Sequence, residues 1–304
     1  MSAIKGLPTK YKVLLGFVTL VALAVLIGVL FPSEGKNEEF KPQNEFKLDS
    51  WVDLKIGGVD MSINKAVLYL FLAAAATVLV MTYIARRMTE KPNRVQTAVE
   101  AAYGLTQTIS RGNMEPKMAA KWFAFVATLF FFIWFSNMIG YIPLPTNTEH
   151  KINVFGVELP ALALYAATAN LSVPLVLTLI VWFSYHFEGI RSKGPIGYLK
   201  SWVPGGITGP AAVPIFMIEV ISHFVRLISL SVRLFANILA GHLLLLFMGG
   251  GLAVLLGLAA LGSITFPGAF VFFIFEVGLV ATLQAFIFAT LSAIYLGGAV
   301  AESH

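Results

Sequence analysis

The chain has 304 residues, of which 58% are hydrophobic and only 12% are charged, and its mean hydropathy is +0.81. Because soluble domains carry about 25% charged residues, this composition indicates that a lipid bilayer is the main solvent. Cysteine is absent, which excludes disulfide bonds, thiolate metal ligands and cysteine nucleophiles. The net charge of +5 therefore has to be interpreted through the positions of the charges along the chain.

Apolar stretches of the ~20 residues that a helix needs to cross hydrocarbon recur along the chain. They are Val13–Phe31, Ala66–Ala85, Trp122–Ile142, Ala166–Phe187, and two longer tracts, Ala211–Leu261 and Phe266–Val300. Each of the two longer tracts exceeds one crossing, so each is expected to tilt strongly or to fold back. The sequence thus predicts an all-α, polytopic membrane protein with about six membrane helices.

The first apolar stretch follows Lys5, Lys10 and Lys12, as the apolar part of a signal peptide would. It is longer than the usual length of about 7–15 residues, and no A-x-A-like cleavage site follows it. We therefore favour a retained membrane anchor over residues 1–32. An external polar segment over residues 33–62 and a membrane channel domain over residues 63–304 complete the expected division.

The loops set the expected orientation, because cytoplasmic loops carry an excess of Lys and Arg. Residues 86–121 hold seven bases against three acids, whereas residues 32–60 hold four bases against seven acids. Residues 86–121, residues 188–205 and both termini are therefore predicted to be cytoplasmic, with residues 32–60 and 143–165 outside. A bacterial plasma membrane, the inner membrane, is preferred because the N-terminal arm lacks an Arg-rich, acid-poor transit peptide.

A segment between the second and third crossings, Pro92 to Gly112, combines helical periodicity with flanking bases. Its apolar positions are Val95, Val99, Ala102, Leu105 and Ile109. This pattern predicts an amphipathic helix on the cytoplasmic membrane surface. An ordinary exposed linker helix is the alternative.

Charges within the last two tracts are the most informative feature, since a charge in a membrane segment costs at least ~2.5–3.5 kcal/mol. The last 99 residues contain only five charged side chains: Glu219, Arg226, Arg233, Glu276 and Glu302. Arg233 lies in apolar sequence, and no acid between Glu219 and Glu276 can neutralise it. Snorkelling to the headgroups is the alternative, and it suits Arg226 better than Arg233.

Helical geometry places several polar residues on the face of Arg233. At about 100° per residue, five of them lie within about 40° of it: Glu219, Ser222, Arg226, Ser229 and Asn237. His242 falls on the opposite face, and about 24 Å of helix separates it from Arg226. The pattern suits two aqueous routes that reach the level of Arg233 from different sides.

The last tract supplies the expected partners of His242, namely Glu276 and, eight residues later, Gln284. A facing His and Glu in a wet cavity can relay protons, because imidazole titrates near ~6.5 and burial raises the pKa of a carboxyl group towards that value. A static buried ion pair that fixes helix packing is the alternative.

Arg233 itself cannot carry a proton, because the pKa of arginine lies above ~12. It can lower the pKa of a nearby carboxyl group and so expel that group's proton. The chain offers no matching acid on a facing helix, so the partner of Arg233 is expected on another polypeptide.

The run Ser229 to His242 resembles the signature helix of subunit a of the rotary F-type ATP synthase. Further similarities, over about residues 45–300, occur at Pro92–Glu100, Ser136–Pro143, Thr168–Ser172 and Leu283–Tyr295. Two departures stand out. The Val13–Phe31 helix has no counterpart in the family's five-span plan, and eight residues instead of seven separate Glu276 from Gln284.

The resemblance implies a stator subunit with two offset half-channels that conduct protons to and from the carboxylates of a rotating c-ring, against which the last two helices pack as a hairpin. Arg233 matches the family's essential arginine. Arg226, Ser229 and Asn237 match the cytoplasmic channel. His242, Glu276, Gln284 and Asn170 match positions in or beside the outer channel. Glu219 joins the pathway through its place on the polar stripe.

The implied partners are the c-ring, subunit b of the peripheral stalk, the remaining ATP synthase subunits and membrane lipids, with no nucleic acid. No G-x-x-x-x-G-K-[ST] motif is present, so ATP chemistry is expected on other subunits. No cofactor or metal is expected, and the chain by itself carries no evident catalytic chemistry. The alternatives are a secondary transporter with an anion site at Arg233, a purely structural assembly subunit, and sodium as the coupling ion.

Overall fold

A computed structural model describes residues 8–30, 46–56, 58–147, 151–154, 157–204, 207, 209–251, 253 and 259–301. The α-helices in these residues are α1 (Thr9–Leu30), α2 (Lys65–Arg86), α3 (Arg94–Asn113), α4 (Pro116–Gly140), α5 (Ser172–Lys193), α6 (Pro195–Lys200), α7 (Ala212–Leu246), α8 (Ala259–Phe275) and α9 (Ala281–Val300). The short strands are β1 (Lys55–Ile56), β2 (Val59–Asp60), β3 (Leu144–Pro145), β4 (Lys151–Val154), β5 (Val157–Pro160) and β6 (Leu162–Ala163).

Five helical stretches in the described residues are long and apolar enough to cross a membrane. They are Lys65–Arg86, Pro116–Gly140, Ser172–Lys193, Gly209–Gly251 and Thr265–Val300. These stretches confirm the predicted all-α, polytopic class. A sixth crossing stays a prediction, although α1 forms a helix of 22 residues where it is expected.

The helix expected from Ala166 begins later than the sequence suggested, at Ser172. Residues Ala167–Ala169 form a 3₁₀ turn instead. The side chain of Asn170 then accepts a hydrogen bond from the backbone N–H of Ser172 at 2.9 Å. Apolar composition alone extended the predicted helix too far, because it does not register this local turn.

The fifth apolar tract contains a single long helix. Helix α7 runs unbroken for 35 residues, about 52 Å, which exceeds the ~30 Å of hydrocarbon. It therefore does not fold back within these residues, and its tilt stays a prediction. It is followed by π-helical residues Phe247–Gly251, in which Gly250 has a φ of 137°, a value that favours glycine. Much of the end of this predicted tract, residues 252 and 254–258, lies outside the described residues.

Helix α3 confirms the helix expected between the second and third crossings. Its N-terminus is capped by Asn93, whose side chain accepts a hydrogen bond from the backbone N–H of Gln96 at 2.8 Å, satisfying a donor that the helix leaves unpaired. Of its apolar positions, Ile109 is buried and Val95 is exposed. Its location on a membrane surface stays a prediction.

The described residues divide between two compact units. The first unit draws on Met1–Lys47, Pro145–Ala163 and Ala240–Leu279. In it, α1 packs along α8, and α8 packs on the π-helical turn that follows α7. Strands β4 and β5 pair antiparallel, with Lys151 opposite Pro160 and Val154 opposite Val157.

The second unit draws on Leu48–Leu144, Leu164–Leu239 and Val280–His304. Helix α4 packs against α2, α3 and α9, and α5 packs against α6 and α9. The largest apolar side chains of the core include Val126, Phe130 and Ile133 of α4, Val181 of α5, and Phe288 and Leu296 of α9. Helix α7 adds Leu230, Leu234 and Ile238, which recur every four residues and so form one apolar row.

Polar contacts tie the helices of the second unit together. The Lys121 ammonium of α4 donates to both carboxylate oxygens of Glu188 in α5, at 2.5 and 2.6 Å. At the end of α5, the Lys193 ammonium donates to the Ala301 carbonyl at 2.6 Å. Charge-assisted bonds of this kind are among the stronger hydrogen bonds, so they fix α5 against its neighbours.

A glycine allows close packing between the end of α4 and the segment that leads to α5. A Cβ atom added at Gly140 would meet both the Cβ and the backbone of Ala166. We expect Gly140→Ala to lower the free energy of unfolding by about 1–3 kcal/mol, because backbone atoms cannot move aside cheaply. Thermal unfolding of the chain purified in detergent measures this change.

Gly104 provides the matched control, because it lies within α3 and a Cβ added there would meet nothing within 4 Å. Gly104→Ala is expected to leave stability unchanged or to raise it by about 0.5–1 kcal/mol. Equal unfolding midpoints for the two variants would contradict the close approach at Gly140.

Candidate functional site

One face of α7 is exposed along its middle turns. Ser229, Arg233 and Asn237 are exposed, whereas the apolar row of Leu230, Leu234 and Ile238 is buried. The two rows lie about 100° apart around the helix, so burial of the apolar row turns the polar row away from the core. Within the described residues of the second unit, to which Arg233 belongs, no carboxylate lies at ion-pair distance from it.

The second arginine of α7 has a partner in the same helix. Arg226 donates a hydrogen bond from Nη2 to Oε1 of Glu219 at 3.0 Å, and both side chains are about one-third exposed. The guanidinium carbon of Arg226 also lies 5.7 Å from the centre of the Tyr295 ring in α9, which is within cation–π range. The charge of Arg226 is therefore compensated inside the chain.

A cavity of about 530 Å³ lies beside this ion pair. Its walls come from α5, α6, α7 and α9 and include Tyr185, Tyr198, Glu219, His223, Arg226 and Tyr295. Two residues that the sequence assigned to a proton pathway, Glu219 and Arg226, thus line a space that is large enough for several water molecules.

The cavity also gathers residues that sequence analysis missed. The Tyr185 hydroxyl lies 2.9 Å from Nδ1 of His223, and the Tyr198 hydroxyl lies 2.8 Å from Nδ1 of His186. Burial raises the pKa of the Tyr198 hydroxyl, so this group stays protonated. His223 could have been found, because it lies four residues after Glu219 and so on the same side of the helix. His186 has no comparable signal.

In the first unit, His242 and Glu276 are both buried, with exposed fractions of 2% and 7%. A Cβ atom added at Gly241 would meet the carboxylate of Glu276. The carboxylate therefore lies directly against the α7 backbone, next in sequence to His242. Glu276 begins a π-helical turn, Glu276–Val280, and such turns are frequent at functional sites.

Asn170 and Gln284 belong to the second unit. Asn170 is half-buried, and its side chain forms a hydrogen bond with the Tyr165 hydroxyl that opposes the rise in pKa caused by burial of that tyrosine. Gln284 is buried and lies one turn after Ala281. The Ala281 carbonyl accepts a hydrogen bond from Asn137 at 3.4 Å, and Asn137 accepts one from Thr168 at 2.7 Å.

Asn137 and Thr168 are fully buried and were not predicted as site residues, although both lie within the segments that resemble the ATP synthase subunit. Among the described residues, no three His, Asp or Glu side chains lie close enough together to hold a metal ion.

Comparison with known proteins identifies the family to which the chain is similar. The model of the ATP synthase A chain family matches residues 67–297. The chain belongs to this family. Helix α1 precedes the matched residues.

Several bacterial relatives carry the name ATP synthase subunit a. The protein from Rubrobacter xylanophilus is 35% identical over 251 residues, which cover 82% of this chain and 88% of that protein. The protein from Hyphomonas neptunium is 32% identical over 271 residues, which cover 86% and 97%. That from Brucella canis is 32% identical over 271 residues, which cover 86% and 98%.

The close approach of Gly241 and Glu276 allows a test of whether the position of the Glu276 carboxylate matters for ATP synthesis. We expect Gly241→Ala to reduce ATP synthesis by membrane vesicles between about tenfold and a hundredfold, because a displacement of about 1 Å at a working group has effects of that size. Gly278→Ala is the control, since a Cβ added at Gly278 meets nothing within 4 Å. Equal synthesis rates in the two variants would show that the position of Glu276 is not critical.

Proposed function

We propose that this chain is the stator subunit of the ATP synthase membrane sector, with two offset half-channels that carry protons to and from the carboxylates of a rotating c-ring. One observation carries the proposal: Arg233 lies on an exposed face of α7 with no carboxylate of the described residues of the second unit in ion-pair range. A membrane charge of this kind is too costly to lack a partner. The partner is a carboxylate on another polypeptide.

Arg233 acts by electrostatics. A guanidinium stays protonated, so it cannot transfer a proton, but it stabilises the ionised form of a carboxylate that turns to face it and so expels that carboxylate's proton. The same fixed charge repels a proton that would pass directly between the two half-channels, and in a medium of low dielectric this repulsion is strong. Ser229 and Asn237 share the exposed face and line the approach of the carboxylate.

The cytoplasmic half-channel includes the cavity at Glu219 and Arg226. This assignment is supported by the size of the cavity, which can hold water, and by its lining, which includes Glu219 and Arg226 of the pathway expected from the sequence. The negative Glu219 and the positive Arg226 form a bonded pair in the cavity wall, so the charge of each is compensated while Glu219 is ionised.

The outer half-channel uses His242 and Glu276, and the resemblance to the family assigns Gln284 and Asn170 to it as well. The burial of His242 and Glu276 and the contact of the Glu276 carboxylate with Gly241 support this assignment. The π-helical turn that begins at Glu276 accounts for the spacing between Glu276 and Gln284, because a π-turn holds more residues than an α-turn. The eight-residue separation of Glu276 and Gln284 is then equivalent to the family's seven.

The remaining parts of the assembly follow from this role. The chain works with the c-ring, subunit b of the peripheral stalk and the other ATP synthase subunits, in the inner membrane of a bacterium, with both termini cytoplasmic. Residues 1–32 form a retained anchor, residues 33–62 an external segment, and residues 63–304 the channel domain. The packing of α1 along α8 supports retention of the anchor, since it gives that helix a place in the folded chain.

Replacement of Arg233 tests the proposal. Arg233→Ala is expected to abolish ATP-driven acidification of inverted vesicles that contain the whole complex, because ring carboxylates would no longer be deprotonated on arrival. Passive proton permeability measured after removal of the ATP-hydrolysing subunits should not fall to zero, since the barrier between the half-channels is lost. Arg191→Ala, at an exposed base near the end of α5, is the control. Retained pumping in Arg233→Ala would overturn the proposal.

Exchange of the residues at positions 242 and 276 tests the outer route. The double variant His242→Glu with Glu276→His keeps one imidazole and one carboxylate, so it is expected to recover much of the transport that either single change removes. Single changes are expected to cost about 10²–10⁴-fold, as for other removed proton-transfer groups. If the double variant is no better than either single one, the two residues do not act as a pair.

A further inference from the structure

A cluster of two tyrosines and two histidines lies between α5, α6 and α7 in the second unit. We call Tyr185, His186, Tyr198 and His223 the tyrosine–histidine cluster. Each tyrosine hydroxyl lies within hydrogen-bond distance of Nδ1 of one histidine, and the two imidazole rings are 4.7 Å apart between centres. Tyr185, Tyr198 and His223 line the cavity of the proposed cytoplasmic half-channel, but no member of the cluster has so far been given a role in proton transfer.

The second nitrogen of each imidazole is free of hydrogen bonds to the described residues. Nε2 of His186 and Nε2 of His223 are both buried without such a partner. Oε1 of Glu219 lies 3.7 Å from Nε2 of His223, which is too long for a hydrogen bond but short enough for proton transfer after a small movement. A buried polar atom without a partner needs an explanation.

The cluster opens to the cavity of about 530 Å³, which Tyr185, Tyr198 and His223 line together with Glu219 and Arg226. The other titratable groups in its wall are Lys193 at the end of α5 and Tyr295 of α9. His223 thus lies where cavity water and the Glu219 carboxylate can both be reached. Imidazole is the side chain that exchanges protons most readily near neutral pH.

We propose that His223, supported by His186, carries protons between Glu219 and the water of this cavity. This inference rests on the proposed function, since it adds a step to the half-channel that contains Glu219. A proton leaves the Glu219 carboxyl group and binds Nε2 of His223, which gives a carboxylate and an imidazolium. The imidazolium then releases a proton to cavity water, which restores the neutral ring and leaves one proton transferred.

Tyr185 and Tyr198 are positioning residues in this step. For Nε2 of His223 to accept a proton, Nδ1 must carry the ring hydrogen, and the Tyr185 hydroxyl oxygen, 2.9 Å away, can then accept a hydrogen bond from it. Tyr198 holds His186 in the same way.

Substitution of His223 separates proton transfer from packing. His223→Asn keeps a polar group that can bond to Tyr185 but cannot take up a proton, whereas His223→Phe removes both properties. The measurement is passive proton flux through vesicles stripped of the ATP-hydrolysing subunits, as the pH on the side of the cavity is varied from about 5 to 8. Both variants are expected to slow the flux at least about tenfold and to change its pH profile. His186→Asn should give a smaller change in the same direction.

Controls keep the outcome decisive. Phe187→Leu, next to His186 but exposed outside the cluster, should retain the flux and profile of the original protein. Arg233→Ala, in vesicles that keep the ATP-hydrolysing subunits, reports separately on the proposed function through ATP-driven pumping. If Arg233→Ala abolishes pumping while His223→Asn keeps the original flux and pH profile, His223 has only a packing role and this inference is wrong. If His223→Asn assembles into the complex and shows the loss, the carrier role is supported.

Discussion

The cost of a charge in hydrocarbon is the constraint on which the second unit depends. Helix α7 carries two arginines in its membrane stretch, and the surroundings of their charges differ. Arg226 bonds to Glu219 and lies near the Tyr295 ring, so its charge is compensated within the chain. Arg233, two turns later, lies on the exposed face without a carboxylate of the second unit's described residues in range. One helix thus holds a compensated arginine and an arginine available to a partner.

Helix α7 carries a buried apolar row and an exposed polar row, and the helical geometry fixes the angle between the two rows. Leu230, Leu234 and Ile238 are buried in the core, and this burial orients Ser229, Arg233 and Asn237 outward. A change in the apolar row would therefore rotate the charged row. The orientation of Arg233 therefore depends on the apolar core of the second unit, which is close-packed and resists such rotation.

The sequence predicted the helices and the polar stripe, because both depend on local periodicity. Apolar runs located α2, α4, α7 and α9, and a period of 3.6 residues placed Arg233 with Asn237. It did not predict the start of α5 at Ser172, which a side-chain contact of Asn170 sets. Nor did it predict the tyrosine–histidine cluster, whose members come from three helices. Contacts between distant segments leave no periodic signal in any one of them.

The two ion pairs of the second unit differ in length and in exposure. The Lys121–Glu188 bond joins two helices at 2.5 and 2.6 Å with Glu188 almost fully buried, a geometry typical of strong charge-assisted hydrogen bonds. The Glu219–Arg226 bond is longer, partly exposed and next to a cavity. A partly exposed ion pair contributes little to stability and can open at a low free-energy cost. The Lys121–Glu188 pair therefore fixes two helices, whereas the Glu219–Arg226 pair can rearrange beside the cavity without loss of the fold.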